Sequence, residues 1–246
     1  MRKTALVTGA ASGLGALAAQ RLAAAGRDVV AVDVDEDGLA RTALRSPNMH
    51  TRSCDVADAA AVEAVVAESG AVHRVVHAAA VSPLAPALEQ PLADVERALR
   101  IDYLGTVNVV RATLPGMLGR GAGELILFSS LAAFTPVAGS SAYGAAKAAV
   151  NAYAETLANE HRGGGVRFRV VCPRQVDTPA YRAAAAADPG GTAAGMKPLP
   201  PRAVLDAVDR SLAGDGLYVF PDAITRAVVL AKRYAPGLLS RVLPAN

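Results

Sequence analysis

Short apolar, β-branched runs alternate along the chain with alanine-rich stretches whose apolar positions recur at helical spacing. The apolar runs predict seven strands, in the segments KTALVT, DVVAVD, MHTRSC, HRVVHAA, ELILFSS, VRFRVVC and GLYVF. Helices are predicted to begin near residues 13, 36, 58, 93, 141 and 201. Strands that alternate with helices pair in parallel through right-handed crossovers. The pattern therefore predicts an α/β fold, with a doubly wound seven-stranded parallel sheet and helices on both faces.

No linker or internal repeat interrupts this alternation, so we expect a single domain over residues 1–246. The turn-rich stretch DPGGTAAGMKPLPP, together with the alanine-rich segment before it, predicts a substrate lid around 179–201. Residues 222–246 predict two short apolar-faced helices broken at Pro236. We expect these helices to serve in core or dimer packing, and a peripheral membrane contact is the alternative.

Composition narrows the classes of function. The chain is 52% hydrophobic and 19% charged, which is typical of a globular protein. A net charge of +3 without a Lys/Arg run, and without tryptophan, argues against nucleic-acid binding. Cys54 and Cys172 match no metal-ligand spacing, so we expect reduced, buried thiols and no metal. No signal-like segment or apolar run of ~18 residues is found, which favours a cytoplasmic protein acting on a small molecule.

The first predicted strand runs into TGAASGLG, a glycine turn that opens a helix. Gly9, Gly13 and Gly15 suit a tight turn with close backbone approach, and a helix N-terminus there can face a pyrophosphate. Asp33 ends the second predicted strand, where a carboxylate accepts the ribose hydroxyls and repels a 2′-phosphate. No Lys or Arg stands beside it in AVDVDED. These residues predict NAD rather than NADP as cofactor, and a loop aspartate that caps the next helix is the alternative interpretation.

The stretch SAYGAAKAAV places Tyr143 and Lys147 four residues apart, on one face of a predicted helix. An ammonium group close to a phenol favours the phenolate, so this pair is suited to moving a proton near neutral pH. Taken alone, a tyrosine and a lysine at this spacing are far more often the decoration of a surface helix.

With TGAASGLG, Asp33, CDV, FSS and YGAAK in this order, the chain resembles the single-domain short-chain dehydrogenase/reductase family over roughly residues 3 to 180. The resemblance implies a Rossmann fold and catalysis by tyrosine, lysine and serine. Tyr143 would exchange the alcohol proton, and Lys147 would support Tyr143 and grip the nicotinamide ribose. Ser130 would hydrogen-bond the substrate oxygen, and the family alignment favours it over the neighbouring Ser129.

The resemblance also implies a cofactor site and a substrate pocket. The implied NAD-binding residues are Gly9, Ser12, Gly13, Leu14, Gly15, Asp33, Val34, Asp55, Val56, Ala78, Ala79, Tyr143, Lys147, Pro173, Val176 and Thr178. The candidate substrate residues are Leu131, Phe134, Val137, Gln175, Tyr181 and Met196. We expect an NAD-dependent alcohol dehydrogenase or ketoreductase, as a homodimer or homotetramer, acting on a largely apolar small molecule that can be cyclic and bears at least one polar group.

Three positions depart from the family pattern. HAAA, residues 77–80, stands where the family usually has Asn-Asn-Ala-Gly, and His77 is either a catalytic base or a strand-end histidine with one local hydrogen bond. Asp102 replaces the family's catalytic asparagine, whose main-chain carbonyl holds a proton-relay water, and it adds a negative charge near Lys147. Arg174 replaces the glycine of a Pro-Gly turn and is either solvated or a clamp for a substrate carboxylate or carbonyl.

Two other functions compete with this hypothesis. The departures favour a non-catalytic NAD-binding sensor that contacts a protein partner, whereas the presence of Ser130, Tyr143 and Lys147 together favours an enzyme. An NAD-using epimerase or dehydratase would share the Tyr-x-x-x-Lys motif, but such relatives usually carry a larger substrate domain than 246 residues allow.

Overall fold

The computed structural model describes residues 2–44, 46–187 and 197–234. Its strands are β1 (Thr4–Thr8), β2 (Asp28–Asp33), β3 (Met49–Ser53), β4 (Val72–His77), β5 (Gly123–Phe128), β6 (Val166–Val171) and β7 (Tyr218–Val219). They form one seven-stranded sheet in the order β3-β2-β1-β4-β5-β6-β7, and every neighbouring pair is parallel. The strand order reverses between β1 and β4, where doubly wound folds bind ligands. The predicted fold class is confirmed.

Helices cover both faces of this sheet. They are α1 (Gly13–Ala24), α2 (Glu36–Ala43), α3 (Ala59–Glu68), α4 (Leu92–Ala98), α5 (Gly105–Gly119), α6 (Ser141–Glu160), α7 (Pro179–Ala187), α8 (Pro201–Ser211) and α9 (Ala223–Tyr234). The helix expected from about residue 93 is interrupted, because a π-helical segment, Leu99–Leu104, joins α4 to α5. Such π-helical turns often occur at functional sites, and this one contains Asp102.

Two apolar cores lie on opposite faces of the sheet because successive strand side chains point in opposite directions. Along β1, Ala5 and Val7 pack into the core formed with α1, α2 and α8, whereas Leu6 packs into the core formed with α3, α5 and α6. The two predicted free thiols, Cys54 and Cys172, are both buried and unpaired with one another. Because a core covers each face of the sheet, the carboxyl ends of the central strands are held together at one end of the sheet.

In the last part of the described chain, the strands and helices differ in length from those that the sequence pattern predicts. The predicted strand GLYVF shortens to the two residues of β7, Tyr218 and Val219, which pair with the last two residues of β6. The segment expected as a lid begins with α7, and residues 188–196 lie outside the described residues. Helix α9 is the first of the two expected C-terminal helices, and residues 235–246 lie outside the described residues as well. Within the described ranges, no helix is long and apolar enough to span a membrane.

Candidate active site

A cleft of about 650 Å³ opens where the carboxyl ends of β1, β2, β4, β5 and β6 meet. Every residue predicted from the family to bind the cofactor lies in its wall. Of the predicted substrate residues, the wall contains Leu131, Val137, Gln175 and Tyr181. The sheet therefore brings together one continuous site from segments that are far apart in the sequence.

The glycine turn after β1 has the geometry of a phosphate-binding loop. Gly9 has φ +68°, and a Cβ atom there would lie 2.7 Å from the carbonyl carbon of Ala78. A Cβ on Gly15 would overlap the carbonyl oxygen of Gly9. The turn leads directly into α1, whose first amides open towards the cleft and can bind a pyrophosphate. The residues present thus fit a dinucleotide.

Asp33 is oriented at the end of β2 by three backbone amides. Its Oδ1 accepts hydrogen bonds from the amides of Val34 (2.8 Å) and Asp35 (3.1 Å), and its Oδ2 accepts one from Ala11 (3.0 Å). The capping alternative is wrong for Asp33, because the N-cap of α2 is Asp35, which accepts a hydrogen bond from the amide of Gly38. Asp33 remains a carboxylate fixed in the cleft wall, with lone pairs available to a ligand.

Tyr143 and Lys147 share the inner face of α6. The Nζ atom of Lys147 lies 5.6 Å from the centre of the Tyr143 ring. This lysine is only 2% exposed, and its Nζ donates a hydrogen bond of 3.0 Å to the carbonyl oxygen of Phe128 at the end of β5. The pair is therefore part of the cleft rather than of a solvated helix surface.

Asp102 is fully buried behind the cleft and compensates the charge of Lys147. Its Oδ2 lies 3.4 Å from the lysine Nζ, and its Oδ1 accepts a hydrogen bond of 2.8 Å from the amide of Val81. Burial raises the pKa of Asp102, while Lys147 and the Val81 amide act in the opposite direction. Its main-chain carbonyl accepts a hydrogen bond from the hydroxyl of Thr106. The carboxylate, more than the carbonyl, is thus the group that contacts Lys147.

The two neighbouring serines have different surroundings. Ser129 is buried, and its hydroxyl donates a hydrogen bond of 3.2 Å to the main-chain carbonyl of Lys147. Ser130 is partly exposed in the cleft wall, where its Oγ accepts a hydrogen bond from the amide of Ala132. That bond leaves the Ser130 hydroxyl hydrogen available to a substrate oxygen, which favours Ser130 over Ser129 in the predicted role.

His77 lies beneath the cleft rather than in its wall. Its Nδ1 is 2.7 Å from the hydroxyl of Thr8, and its Nε2 is buried without a hydrogen-bond partner among the described residues. Burial, and secondly the charge of Lys147, lower the pKa of His77 to about 3. Of the two roles considered for His77, the structure matches the neutral strand-end histidine with one local hydrogen bond.

Two other sequence-derived candidates have different surroundings from those expected. Arg174 lies in the cleft wall and is held there, because its Nε pairs with Asp222 at 2.8 Å and its Nη1 donates to the carbonyl of Lys197; the clamp role stays a prediction. Phe134 is not among the described residues of the cleft wall; its ring packs against Tyr218 and Phe220 beside the sheet. Met196 lies outside the described residues.

Sequence reasoning missed part of the cleft wall. Among the missed residues, Val81, Ser82 and Leu84 follow β4, and Arg97 and Ile101 lie on α4 and the π-helical segment. The loop after β4 has no periodic pattern of hydrophobic residues that would indicate a site. In the sequence, Arg97 looks like an ordinary polar residue of an amphipathic helix. Unlike Lys147 and Arg174, Arg97 has no carboxylate partner in the part of the chain that the structure describes.

Comparisons with known proteins identify the family. The family model for the short chain dehydrogenases matches residues 3–188. The chain is 36% identical to 1-deoxy-11-beta-hydroxypentalenate dehydrogenase of Streptomyces exfoliatus, over 91% of this chain and 84% of the relative. It is 39% identical to D-threitol dehydrogenase of Mycolicibacterium smegmatis, over 72% of this chain and 71% of the relative.

Solved structures share the fold along the whole chain. A short-chain dehydrogenase/reductase from Burkholderia phymatum in complex with NAD has a TM-score of 0.86 at 24% identity, covering 100% of this chain and 97% of that chain. A short-chain dehydrogenase from Burkholderia cenocepacia in complex with NADP has a TM-score of 0.85 at 22% identity, covering 100% and 98%. Together with the cleft geometry, the family model and the relatives assign this chain to the short-chain dehydrogenase/reductase family, oxidoreductases that act on alcohols and bind NAD or NADP.

Proposed function

We propose that the protein uses NAD to interconvert a secondary alcohol and a ketone on a largely apolar small molecule, cyclic substrates included. The observation that supports this most directly is the convergence of Ser130, Tyr143 and Lys147 in the cleft that also contains the glycine turn and Asp33. A sensor would have no need of three proton-handling groups in one place.

When bound, the nicotinamide supplies hydride transfer. The Tyr143 hydroxyl exchanges the proton of the substrate oxygen, which is general acid–base catalysis. Ser130 donates a hydrogen bond to the same oxygen, where charge develops during the reaction. The ammonium of Lys147 is held beside the Tyr143 ring by the carbonyl of Phe128 and the carboxylate of Asp102.

The chemistry of the wall indicates the substrate class. Apolar side chains of Leu84, Leu131, Val137 and Tyr181 face the cleft, and Gln175 adds a polar group. Apolar walls with a few placed polar groups are typical of small-molecule sites. The two relatives, named for the dehydrogenation of a hydroxypentalenate and of D-threitol, also support an alcohol on a small molecule.

A screen of NAD reduction against cyclic and aromatic secondary alcohols tests the proposal. The enzyme is expected to turn over at least one of them, and Asp37→Ala, which removes an exposed carboxylate outside the cleft, should behave as wild type. Binding of NAD without turnover of any alcohol across a broad panel would instead support the sensor.

The choice of NAD rests on Asp33. Removing its carboxylate in Asp33→Ala is expected to weaken NAD binding by about 10-fold or more, since a hydrogen bond to a charged group is worth about 1.5–3 kcal/mol. When Val34→Arg is combined with Asp33→Ala, the protein should also bind NADP. Val34 is 66% exposed in the cleft wall, and an arginine there can pair with the 2′-phosphate. Titration of both nucleotides against each variant measures the effect.

Two controls separate recognition from folding. Asp33→Asn keeps an oxygen acceptor for the backbone amides but loses the charge, and Asp37→Ala removes a carboxylate elsewhere. Asp37→Ala should leave both affinities unchanged. Tighter binding of NADP than of NAD by the wild type would contradict the proposed specificity.

Asp102 is expected to set the pH dependence of the reaction. As an anion beside Lys147, it offsets part of the positive electrostatic field of the ammonium at Tyr143. Asp102→Asn should therefore shift the rising limb of kcat/KM towards lower pH in the oxidation direction, at saturating NAD. The measurement is the pH profile of both proteins with one substrate.

Asparagine keeps the oxygen that accepts from Val81 and the main-chain carbonyl, and it replaces the charged oxygen facing Lys147 with a neutral amide nitrogen. Asp58→Asn, at the exposed N-cap of α3, is a matched control and should leave the profile unmoved. An unmoved limb in Asp102→Asn would assign Asp102 a purely structural role.

A further inference from the structure

The charged side chains of the cleft wall are segregated by sign. Among the described residues of the wall, the carboxylates are those of Asp33, which ends β2, and Asp55, which follows β3. Lys147 lies against the end of β5, and Arg174 follows β6. Three strand spacings separate β2 from β5, so the two groups of charges start from strands roughly 14 Å or more apart. The half of the cleft over β5 and β6, where the proposed reaction takes place, therefore carries the positive charge.

Arg97 adds a third cation beside this reaction half. Its helix, α4, packs against α6, which carries Tyr143 and Lys147. One turn after Arg97, Ile101 is also in the cleft wall, and the next residue, Asp102, pairs with Lys147. The position of α4 thus places the charge of Arg97 near the groups that would move the substrate proton.

The charge of Arg97 is not offset by a carboxylate in the part of the chain that the structure describes. Lys147 is compensated by Asp102 at 3.4 Å, and Arg174 is compensated by Asp222 at 2.8 Å. The side chain of Arg97 has neither an ion pair nor a hydrogen bond to another described residue. A cation without a counter-ion in the wall of a cleft attracts an anionic ligand.

The surroundings of Arg97 favour an organic anion. Apolar side chains that include Leu84, Leu131 and Val137 line the same cleft. A guanidinium binds a carboxylate through two parallel hydrogen bonds, which a neutral hydroxyl or ketone cannot match. A ligand that combines an apolar body with a carboxylate would therefore use both the apolar wall and the free charge.

We propose that the substrate bears a carboxylate and that Arg97 binds it, while the reacting oxygen of the same molecule faces Tyr143 and Ser130. This inference rests on the proposed function, and it names the polar group of the substrate. Arg97 is then a specificity-determining residue, which selects the substrate by its charge and takes no part in the proton transfer.

The cofactor carries another anion, its pyrophosphate. The glycine turn and the first amides of α1 are already placed to bind that group. We therefore expect Arg97→Gln to leave the affinity for NAD unchanged, as measured by titration of the nucleotide alone.

Calorimetric titration of the NAD-saturated protein with cyclohexanecarboxylate tests the site, and cyclohexanecarboxamide is the uncharged probe of similar shape. We expect the carboxylate to bind about tenfold or more tightly than the amide, because charge-assisted hydrogen bonds are roughly twice as strong as neutral ones. The preference should decrease at high salt, since exposed charges are screened.

Variants of two neighbouring arginines identify the group responsible. Arg97→Gln should abolish the preference for the carboxylate, and Arg97→Lys, which keeps the charge but not the planar fork, should retain part of it. Arg100→Gln is the matched control and should retain all of it. Arg100 is also exposed, three residues further along the chain, but it lies outside the cleft wall.

Turnover separates this inference from the proposed reaction. Oxidation of 3-hydroxycyclohexanecarboxylate should have a kcat/KM about tenfold above that of its methyl ester, mainly through KM, and Arg97→Gln should remove the difference. Equal turnover of acid and ester would overturn the inference and leave the proposed function standing. Carboxylate binding that depends on Arg97, without turnover of any alcohol, would support the anion site and contradict the proposed reaction.

Three further results would overturn the inference. The first is that cyclohexanecarboxylate does not bind, or binds no more tightly than the amide. The second is that Arg97→Gln keeps the preference and Arg174→Gln loses it, which would assign the carboxylate to Arg174. The third is that Arg97→Gln weakens NAD binding and keeps the preference, which would assign Arg97 to the pyrophosphate.

Discussion

Replacing Tyr143 with phenylalanine is expected to lower turnover by ~10²–10⁴-fold, which is the usual contribution of general acid–base catalysis. The substitution removes only the hydroxyl that exchanges a proton with the substrate. The ring keeps its position above Lys147, 5.6 Å from Nζ, so the cleft and its affinity for NAD should change little. Steady-state turnover with one alcohol and a separate NAD titration give the two quantities.

Tyr153→Phe is the matched control, because Tyr153 lies on the same helix, α6, and packs edge-on against Tyr103 outside the cleft wall. It should retain the wild-type rate. If Tyr143→Phe keeps more than about a tenth of the rate, the proton moves through another group. His77 is a poor candidate for that group, since it is buried and neutral.

Replacing Lys147 with methionine is expected to lower the free energy of unfolding by about 3–5 kcal/mol, the usual loss when one partner of a buried ion pair is removed. Asp102 is fully buried, and the variant leaves its carboxylate without the ammonium that lies 3.4 Å away. The carbonyl oxygen of Phe128 also loses its donor. Denaturant unfolding of both proteins at neutral pH measures the loss.

The pH dependence of this loss has a definite sign. Burial already raises the pKa of Asp102 above that of the unfolded chain, and removing Lys147 raises it further. A carboxyl that binds its proton more tightly in the folded state stabilises the fold as pH falls towards the unfolded pKa. The deficit of Lys147→Met should therefore shrink on acidification.

The double variant Lys147→Met with Asp102→Asn removes both charges. It should recover part of the stability that Lys147→Met loses at neutral pH, because no unpaired charge is then buried. Strictly additive losses at every pH would contradict a direct interaction between these two side chains.

The succession of strands and helices is encoded locally. Val29 to Val32 in β2 form a continuous apolar run, as expected of a strand buried on both faces, and the alanine-rich α6 has a high intrinsic helix propensity. The sequence predicted the ends of the strands and helices less accurately than their order. Strand β7 is shorter than its apolar run because only Tyr218 and Val219 pair with β6. The helix from residue 92 contains a π-helical segment that no periodicity signalled.

The sequence by itself also predicted those site residues whose interacting groups lie close to them in the chain. Tyr143 and Lys147 are one helical turn apart, and Gly9 and Gly15 lie in one short turn, so their proximity follows from secondary structure alone. The position of Asp33 at the end of a strand likewise predicted its place at the carboxyl edge of the sheet.

Only the tertiary structure decided the interactions between distant segments. It paired Asp102 with Lys147 and Arg174 with Asp222, and it packed Phe134 against Tyr218. Ion pairing and desolvation depend on which groups the fold brings within a few ångströms of each other. Those distances are set by the packing of helices on the sheet, and neither residue spacing nor hydrophobic periodicity encodes them.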